Sequence, residues 1–433
     1  MNTDSQESYL TMKPETAKRF KYWQTRTIIA TMIGYAMFYF VRKNLSMAMP
    51  GMEADLGITK TDLGIFLTLH GLIYGLSRFA NGILGDRFNS RYFMVTGLVL
   101  CAVCNVLFGF GSSVLMFGIV WMFNGWFQGM GFPPCVRLLT HWIPPHQLAT
   151  KMSVWNTSHS IGAGLVVIVC GYIVSLGWRW CFFVPSAIAL LGAVFLWFTL
   201  RDTPRSVGLP EISMGDDKAN DEDRKSKEYK EFVRNKVFKN PYIWILGVAN
   251  FFVYIVRFAV LDWGPTLLSQ WKGVSLHHAG WMVAAFEIAG ITGMLIAGWA
   301  TDKFFGGRGP RVCLICMALA SLFVFVFWEL QHPPMWLATA VLMGAGFCIY
   351  GPQALIGIAA SNLATKRAAA TAAGFTGLFG YASTAVSGLG FGYLVQTYGW
   401  DKSFLVLIAA GIIGTLVFAM AWKAKATGYD DEK

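Results

Sequence analysis

Apolar stretches of about twenty residues follow one another from end to end of this chain, and a stretch of that length crosses a bilayer as a helix. About twelve fall near residues 27–50, 61–84, 92–111, 113–137, 150–174, 178–199, 241–265, 276–300, 309–329, 333–360, 367–395 and 401–422. In hydrocarbon every backbone N–H and C=O has to be satisfied within the chain, which leaves helices or a closed barrel. Runs this long and continuous do not suit the short alternating strands of a barrel. Composition agrees: 55% of the 433 residues are hydrophobic and 14% charged, against about 25% charged in soluble domains. The predicted fold is an all-α, multi-pass membrane protein with the lipid bilayer as its surroundings.

The formal charge of +11 is explained by where the cations lie. Lys13, Lys18, Arg19, Lys21 and Arg26 crowd the N-terminus; others fill alternate loops (Arg87, Arg91, Lys151, Lys303, Arg308, Arg311, Lys366, Arg367), the segment 201–240, and Lys423 and Lys425. Intervening loops hold few, chiefly Lys60, Lys272 and Lys402. Basic residues mark the cytoplasmic side, so both termini and the central loop are expected in the cytoplasm, with the protein in the cytoplasmic (inner) membrane. The basic balance therefore reports topology, and no nucleic-acid partner is expected. Residues 1–20 have no apolar core ahead of a cleavage site, so no removable signal peptide is predicted. All eight cysteines fall in predicted spans; the CAVC (101–104) and CLIC (313–316) pairs are read as small buried hydrophobes and not as metal ligands.

Internal repetition divides the spans in two. GILGDRFNSR (82–91) and GWATDKFFGGRGPR (298–311) share a glycine, an aspartate four residues on, then a cation. The offset from Asp86 to Asp302 equals that from Gly57 in GITKTDLG to Gly273 in GVSLHHAG, and LGWRWCF (176–182) is echoed by YGWDKSF (398–404). Two six-helix halves repeated in parallel follow. The expected organisation is a cytoplasmic N-terminus (1–26), an N-terminal bundle (27–200), a cytoplasmic linker (201–240), a C-terminal bundle (241–422) and a cytoplasmic tail (423–433). Asp86 and Arg87, and in the second half Asp302 and Lys303, are candidates for a loop latch that links helix ends by charge.

Arg42 and Arg257 sit deep in apolar segments half a chain apart. Each lies about fifteen residues into its span, roughly 22–24 Å along a helix axis. A guanidinium at membrane depth is costly and marks a functional site by default, and its fork of donors fits phosphate or carboxylate. The intramembrane charges are Arg42, Lys43, Arg78 and Arg257 against Asp262 and Glu287. Two positive charges are left over, which suits a phosphate monoester carrying about −1.5 to −2. The expectation is that Arg42 and Arg257 grip the phosphoryl oxygens, while Lys43 pairs with Asp262 and Glu287 as a gating salt bridge.

The six-plus-six pattern and the two Gly-x-x-x-Asp-[Arg/Lys] loops resemble the major facilitator superfamily. FYFVRKNLSMAMP (38–50), YGLSRFANGILGDR (74–87), FNGWFQGMGFPPCVRLLTHW (123–142), VWNTSHSIGAG (154–164), RDTPRSVGLP (201–210), VYIVRFAVLDWGPTLL (253–268) and AAGFTGLFGYAS (372–383) resemble its organophosphate:phosphate antiporter family. The resemblance implies that Arg42 and Arg257 bind phosphate, that His159 lines the site, and that Lys43, Asp262 and Glu287 are the charged partners. Arg78 occupies a position that is lysine in glycerol-phosphate members. Asn156, Tyr254 and Tyr381 are further candidate lining residues.

YGPQALIGIAA (350–360) is similar to the hexose-phosphate branch, and Gln353, Asn124, Gln128, Asn156 and Thr376 offer uncharged polar groups for sugar hydroxyls. The expected function is exchange of a hexose 6-phosphate such as glucose 6-phosphate for inorganic phosphate by alternating access, with a monomer as the working unit. The alternatives are a carrier for glycerol 3-phosphate or phosphoglycerate, and a transporter-like sensor of hexose phosphate acting on a membrane kinase. No nucleophile–base pair, metal cluster or phosphate-binding glycine loop is evident, so neither an enzyme nor a cofactor or metal is predicted.

Overall fold

The computed structural model describes residues 13–85, 88–211, 226–331 and 333–424. Every extended element among them is a helix. In order these are α1 (Pro14–Lys43), α2 (Leu45–Leu56), α3 (Lys60–Gly85), α4 (Ser90–Gly109), α5 (Val114–Gln128), α6 (Phe132–Trp142), α7 (Pro145–Asn156), α8 (Ser158–Ile173), α9 (Trp180–Thr199), α10 (Lys227–Val233), α11 (Pro241–Gln270), α12 (Leu276–Phe305), α13 (Gly309–Glu329), α14 (Met335–Ala382) and α15 (Phe391–Met420). Nine helical runs among the described residues are long and apolar enough to cross a membrane. Three further crossings complete the twelve. The first is α1–α2, whose opening turns carry Lys18, Arg19, Lys21 and Arg26; the second is α5–α6, interrupted at residues 129–131. The third comes from Thr371–Met420, a run of 50 residues that spans about 75 Å if straight, more than twice a hydrocarbon core of about 30 Å. It turns at Gly399, where φ is +80°, a conformation readily open only to glycine.

By packing, the chain divides into two compact units. Unit 1 comprises Met1–Asn44, Ile73–Val166 and Arg179–Lys225; unit 2 comprises Leu45–Leu72, Val167–Trp178 and Ser226–Lys433. Residues of the first covalent repeat thus contribute to both.

In unit 1, α4 packs on α9 and α5, and α1 on α9 and α6. α1 starts at Pro14, well before the apolar stretch that begins near residue 27. Its basic first turns are held by tertiary contacts that no local pattern encodes. Phe20 forms a buried cluster with Trp142 and Leu209, flanked by Trp23 and Val207. Gln24 Nε2 donates to Trp142 O at 2.9 Å, and Arg19 Nη2 to Val207 O at 3.3 Å. The linker's first residues therefore strap the helix ends: Asp202 accepts from Ser90 N at 2.7 Å and from Arg137 Nη2 at 3.4 Å.

In unit 2, α14 packs against α12, α13 and α11, and α15 against α11 and α13. The start of α3 joins this unit through small residues. Thr68 Oγ1 donates to Thr384 O at 2.8 Å and accepts from Leu389 N at 2.8 Å. A Cβ on Gly64 would lie 2.5 Å from Gly388 O, so this approach of backbones requires glycine.

Candidate functional site

In unit 1 the site is organised by a break in the first crossing. Val41 has φ −98° and ψ 19°, outside helical values, and Asn44 separates α1 from α2. A kink releases a carbonyl from the helical ladder, and in a membrane interior that group needs a replacement partner. Val41 O receives Asn105 Nδ2 at 2.9 Å and Asn124 Nδ2 at 3.0 Å. Gln128 Nε2 donates to Phe38 O at 2.9 Å, one turn earlier. Asn44 Nδ2 ties the far side of the break to Asn105 Oδ1 at 2.7 Å and to Cys181 O at 2.8 Å. All four amide side chains are buried.

Arg42 follows directly on the braced Val41. It is 9% exposed, and its guanidinium carbon lies 4.0 Å from the ring centroid of Tyr74 and 5.4 Å from that of Tyr39. The Tyr39 ring is also 5.8 Å from the ring of His159, so one tyrosine joins these two predicted residues into a single wall. His159 Nδ1 contacts the carbonyl oxygen of Asn156, and Nε2 lies 3.4 Å from Ser160 Oγ. A carbonyl only accepts, so the proton sits on Nδ1 in the neutral ring. Arg78 lies with its guanidinium carbon 3.7 Å above the Phe132 ring. Asn156 is half-buried, and Lys43 is buried beside Arg42.

Arg257 occupies the middle of α11 in unit 2 and is 4% exposed. Its Nη2 donates to Tyr350 Oη at 3.0 Å, and Tyr350 Oη in turn donates to Glu287 Oε1. The phenol therefore links a buried cation to a carboxylate on another helix. Tyr350 fits here because α12 has glycine opposite: a Cβ on Gly290 would come within 2.5 Å of its ring. The guanidinium also faces Tyr254 at 5.7 Å and Phe258 at 5.6 Å. The Tyr254 ring lies 6.2 Å from that of Tyr381. Gln353 is half-buried, with its Oε1 inaccessible and accepting no hydrogen bond from a described residue. Asp262 is buried on α11.

The sequence model of the Major Facilitator Superfamily matches residues 31–386 and again 248–431. The probable hexose phosphate transport protein of Chlamydia pneumoniae is 39% identical, over 94% of this chain and 93% of that protein. The glycerol-3-phosphate transporter of Bacillus subtilis is 38% identical over 93% of each chain. The membrane sensor protein UhpC of Salmonella typhimurium is 38% identical over 94% of each. The chain belongs to the major facilitator superfamily, in its organophosphate:phosphate antiporter family. That places it among membrane transporters and not enzymes. The superfamily fold is found as well in a solved bacterial homolog of the human lysosomal transporter Spinster, in an inward-facing, occupied conformation. It superposes with a TM-score of 0.77 at 15% identity, covering 94% of this chain and 98% of that one.

Within this superfamily member, several predicted residues have other tasks. Asn124 and Gln128, offered as sugar partners, are buried behind the first crossing and brace its backbone. Thr376 returns its hydroxyl to Ala372 O and Ala373 O of its own helix, and its carbonyl accepts from Asn250. Asp86 and Arg87 of the first latch lie outside the described residues. Asp302 is exposed, and Lys303 Nζ sits 4.9 Å from the Trp299 ring. Residues that patterning missed are Tyr350, Tyr74, Tyr39, Asn44 and Asn105. Their common signal is a polar or phenolic side chain inside an apolar span, which needs a partner there. Tyrosine is too frequent in such spans for that signal to single out Tyr350.

Proposed function

We propose that this transporter exchanges a hexose 6-phosphate, such as glucose 6-phosphate, for inorganic phosphate across the cytoplasmic membrane, with both termini in the cytoplasm. The observation that carries the proposal is the pair Arg42 and Arg257. They are buried arginines at matched points of two sequence repeats, each lying over tyrosine rings. Guanidinium forks bind phosphoryl oxygens by charge-assisted, bidentate hydrogen bonds. His159 and Arg78 add donors, and Tyr254, Tyr381, Asn156 and Gln353 serve the organic end. The amide of Gln353 suits a sugar hydroxyl better than a second carboxylate. The Chlamydia relative's name supports a hexose phosphate; the similar identity of the Bacillus relative makes glycerol 3-phosphate the comparison substrate.

Exchange follows from charge. Closing a carrier around buried cations bears a desolvation penalty of several kcal/mol per ion, which a bound dianion offsets. Loaded carriers then cross, in either direction, and empty ones lag. Lys43, Asp262 and Glu287 are proposed as the ion pairs that rearrange when substrate binds, and Asp302 and Lys303, with Asp86 and Arg87, as the loop latch. The test is purified protein in proteoliposomes. Internal phosphate is expected to accelerate uptake of labelled glucose 6-phosphate; uptake indifferent to internal phosphate contradicts exchange.

The similarity to a membrane sensor protein favours one second reading, a hexose-phosphate receptor acting on a membrane kinase. Binding without counterflow in the same proteoliposomes would select it.

A further inference from the structure

Three arginines that the proposed transport site does not use gather at the basic end of unit 1. Arg26 of α1 and Arg201, just past α9, both donate to the carbonyl oxygen of Phe198, at 2.9 and 3.2 Å. Their guanidiniums therefore lie side by side. Arg26 Nε also reaches Thr199 O at 3.1 Å, and Arg201 Nη1 reaches Leu200 O at 2.6 Å. These carbonyls belong to the last turn of α9, whose dipole favours cations, but none of them neutralises a charge. Trp23 is flanked by both guanidiniums, at 4.8 and 5.5 Å.

Arg91, in the first turn of α4, completes the group. Its guanidinium carbon is 5.0 Å from the Trp197 ring and 5.3 Å from the Tyr92 ring. Its Nε is buried and donates to no described residue. Arg91 and Arg26 both push the Arg201 guanidinium below its usual value, after the larger effect of burial. The adjacent carboxylate, Asp202, is engaged by Ser90 N and Arg137. Three like charges thus share one corner, with no ion pair among the described residues.

Apolar side chains continue from this corner. Ile29 and Ile33 lie three and seven residues beyond Arg26, on the same helix face, and they are 50% and 39% exposed; Phe198 is 65% exposed. Tryptophan and tyrosine beside exposed aliphatic groups are the side chains of a membrane–water boundary. A soluble anion has no use for that apolar stripe, whereas an acyl chain does.

We propose that Arg26, Arg91 and Arg201 form a binding site for the phosphate headgroup of an anionic phospholipid, with its acyl chain along Ile29, Ile33 and Phe198. The headgroup phosphodiester accepts from the three forks, and basic pockets between helix ends are suited to such lipids.

The test uses the full chain in phosphatidylcholine nanodiscs, titrated with short-chain phosphatidylglycerol and read by native mass spectrometry. Arg91→Gln is the first variant, because the Arg91 side chain donates no hydrogen bond to a described residue. Retention of the anionic lipid is expected to fall about fivefold for Arg91→Gln and further for Arg91→Gln with Arg201→Gln, while Arg91→Lys keeps most of it. Equal retention by the wild type and the double variant overturns the proposal, as does phosphatidylcholine retained as well as phosphatidylglycerol. Glycerol 1-phosphate displacing the lipid at equal concentration would also overturn it, by showing a site for soluble phosphate.

Discussion

Tyr350 accepts a hydrogen bond from Arg257 at 3.0 Å and donates its own proton to Glu287, so a single phenol links cation and carboxylate. A phosphate entering at Arg257 meets a guanidinium with one donor already engaged by a neutral group. Such a partner is easier to keep or exchange than a carboxylate, which would compete with the substrate for the same charge.

Tyr350→Phe removes this mediator and leaves both charged groups. Apparent affinity for phosphate is expected to weaken about tenfold, equivalent to ~1.4 kcal/mol, because the phenol that links Glu287 to Arg257 is lost and the carboxylate can compete with phosphate for the guanidinium. Phosphate binding to the reconstituted variant measures this, and unchanged affinity would show that the link is incidental.

Asn124→Ala strips one of the two closer amide donors from Val41 O, leaving Asn105 and the longer contact from Gln128. Weakening the satisfaction of a buried carbonyl costs about 1–3 kcal/mol, so thermal unfolding in detergent should occur at lower temperature. Asn105→Ala is expected to be worse, since it also releases Asn44. Because Asn105 and Asn124 share an acceptor, the double variant should lose less than the sum of the single losses.

Gly64→Val forces a side chain against the backbone of Gly388. Overpacking of this kind costs about 1–3 kcal/mol and disfavours the arrangement in which Thr68 bonds to Thr384 O and Leu389 N. A cysteine replacing Thr68, 7% exposed here, should react faster with a hydrophilic maleimide in the Gly64→Val background. Equal labelling rates in both backgrounds would contradict the dependence of this packing on Gly64.

The spans were legible because each is a local composition sustained over about twenty residues, and the paired arginines because charge in an apolar run is conspicuous. The first turns of α1 escaped, since Phe20 and Gln24 are held by Trp142 and Leu209, residues remote in sequence. The break at Val41 escaped for a similar reason: the chain carries no proline or glycine there, and the kink depends on amides from α4 and α5. Asn124 and Gln128 looked like sugar ligands because sequence shows that a polar group lies in a helix, not which way it faces. Tyr350 shows the same limit, since its role rests on Gly290 of another helix making room.

The central claim, that Arg42 and Arg257 hold phosphate through guanidinium forks, is tested most directly by Arg42→Lys and Arg257→Lys in phosphate counterflow with proteoliposomes. Lysine keeps the charge but loses the planar pair of donors, and one hydrogen bond to a charged group contributes about 1.5–3 kcal/mol. Each variant is therefore predicted to lose roughly ten- to a hundredfold in apparent phosphate affinity while still inserting in the membrane. Near-normal affinity in both variants would contradict the account.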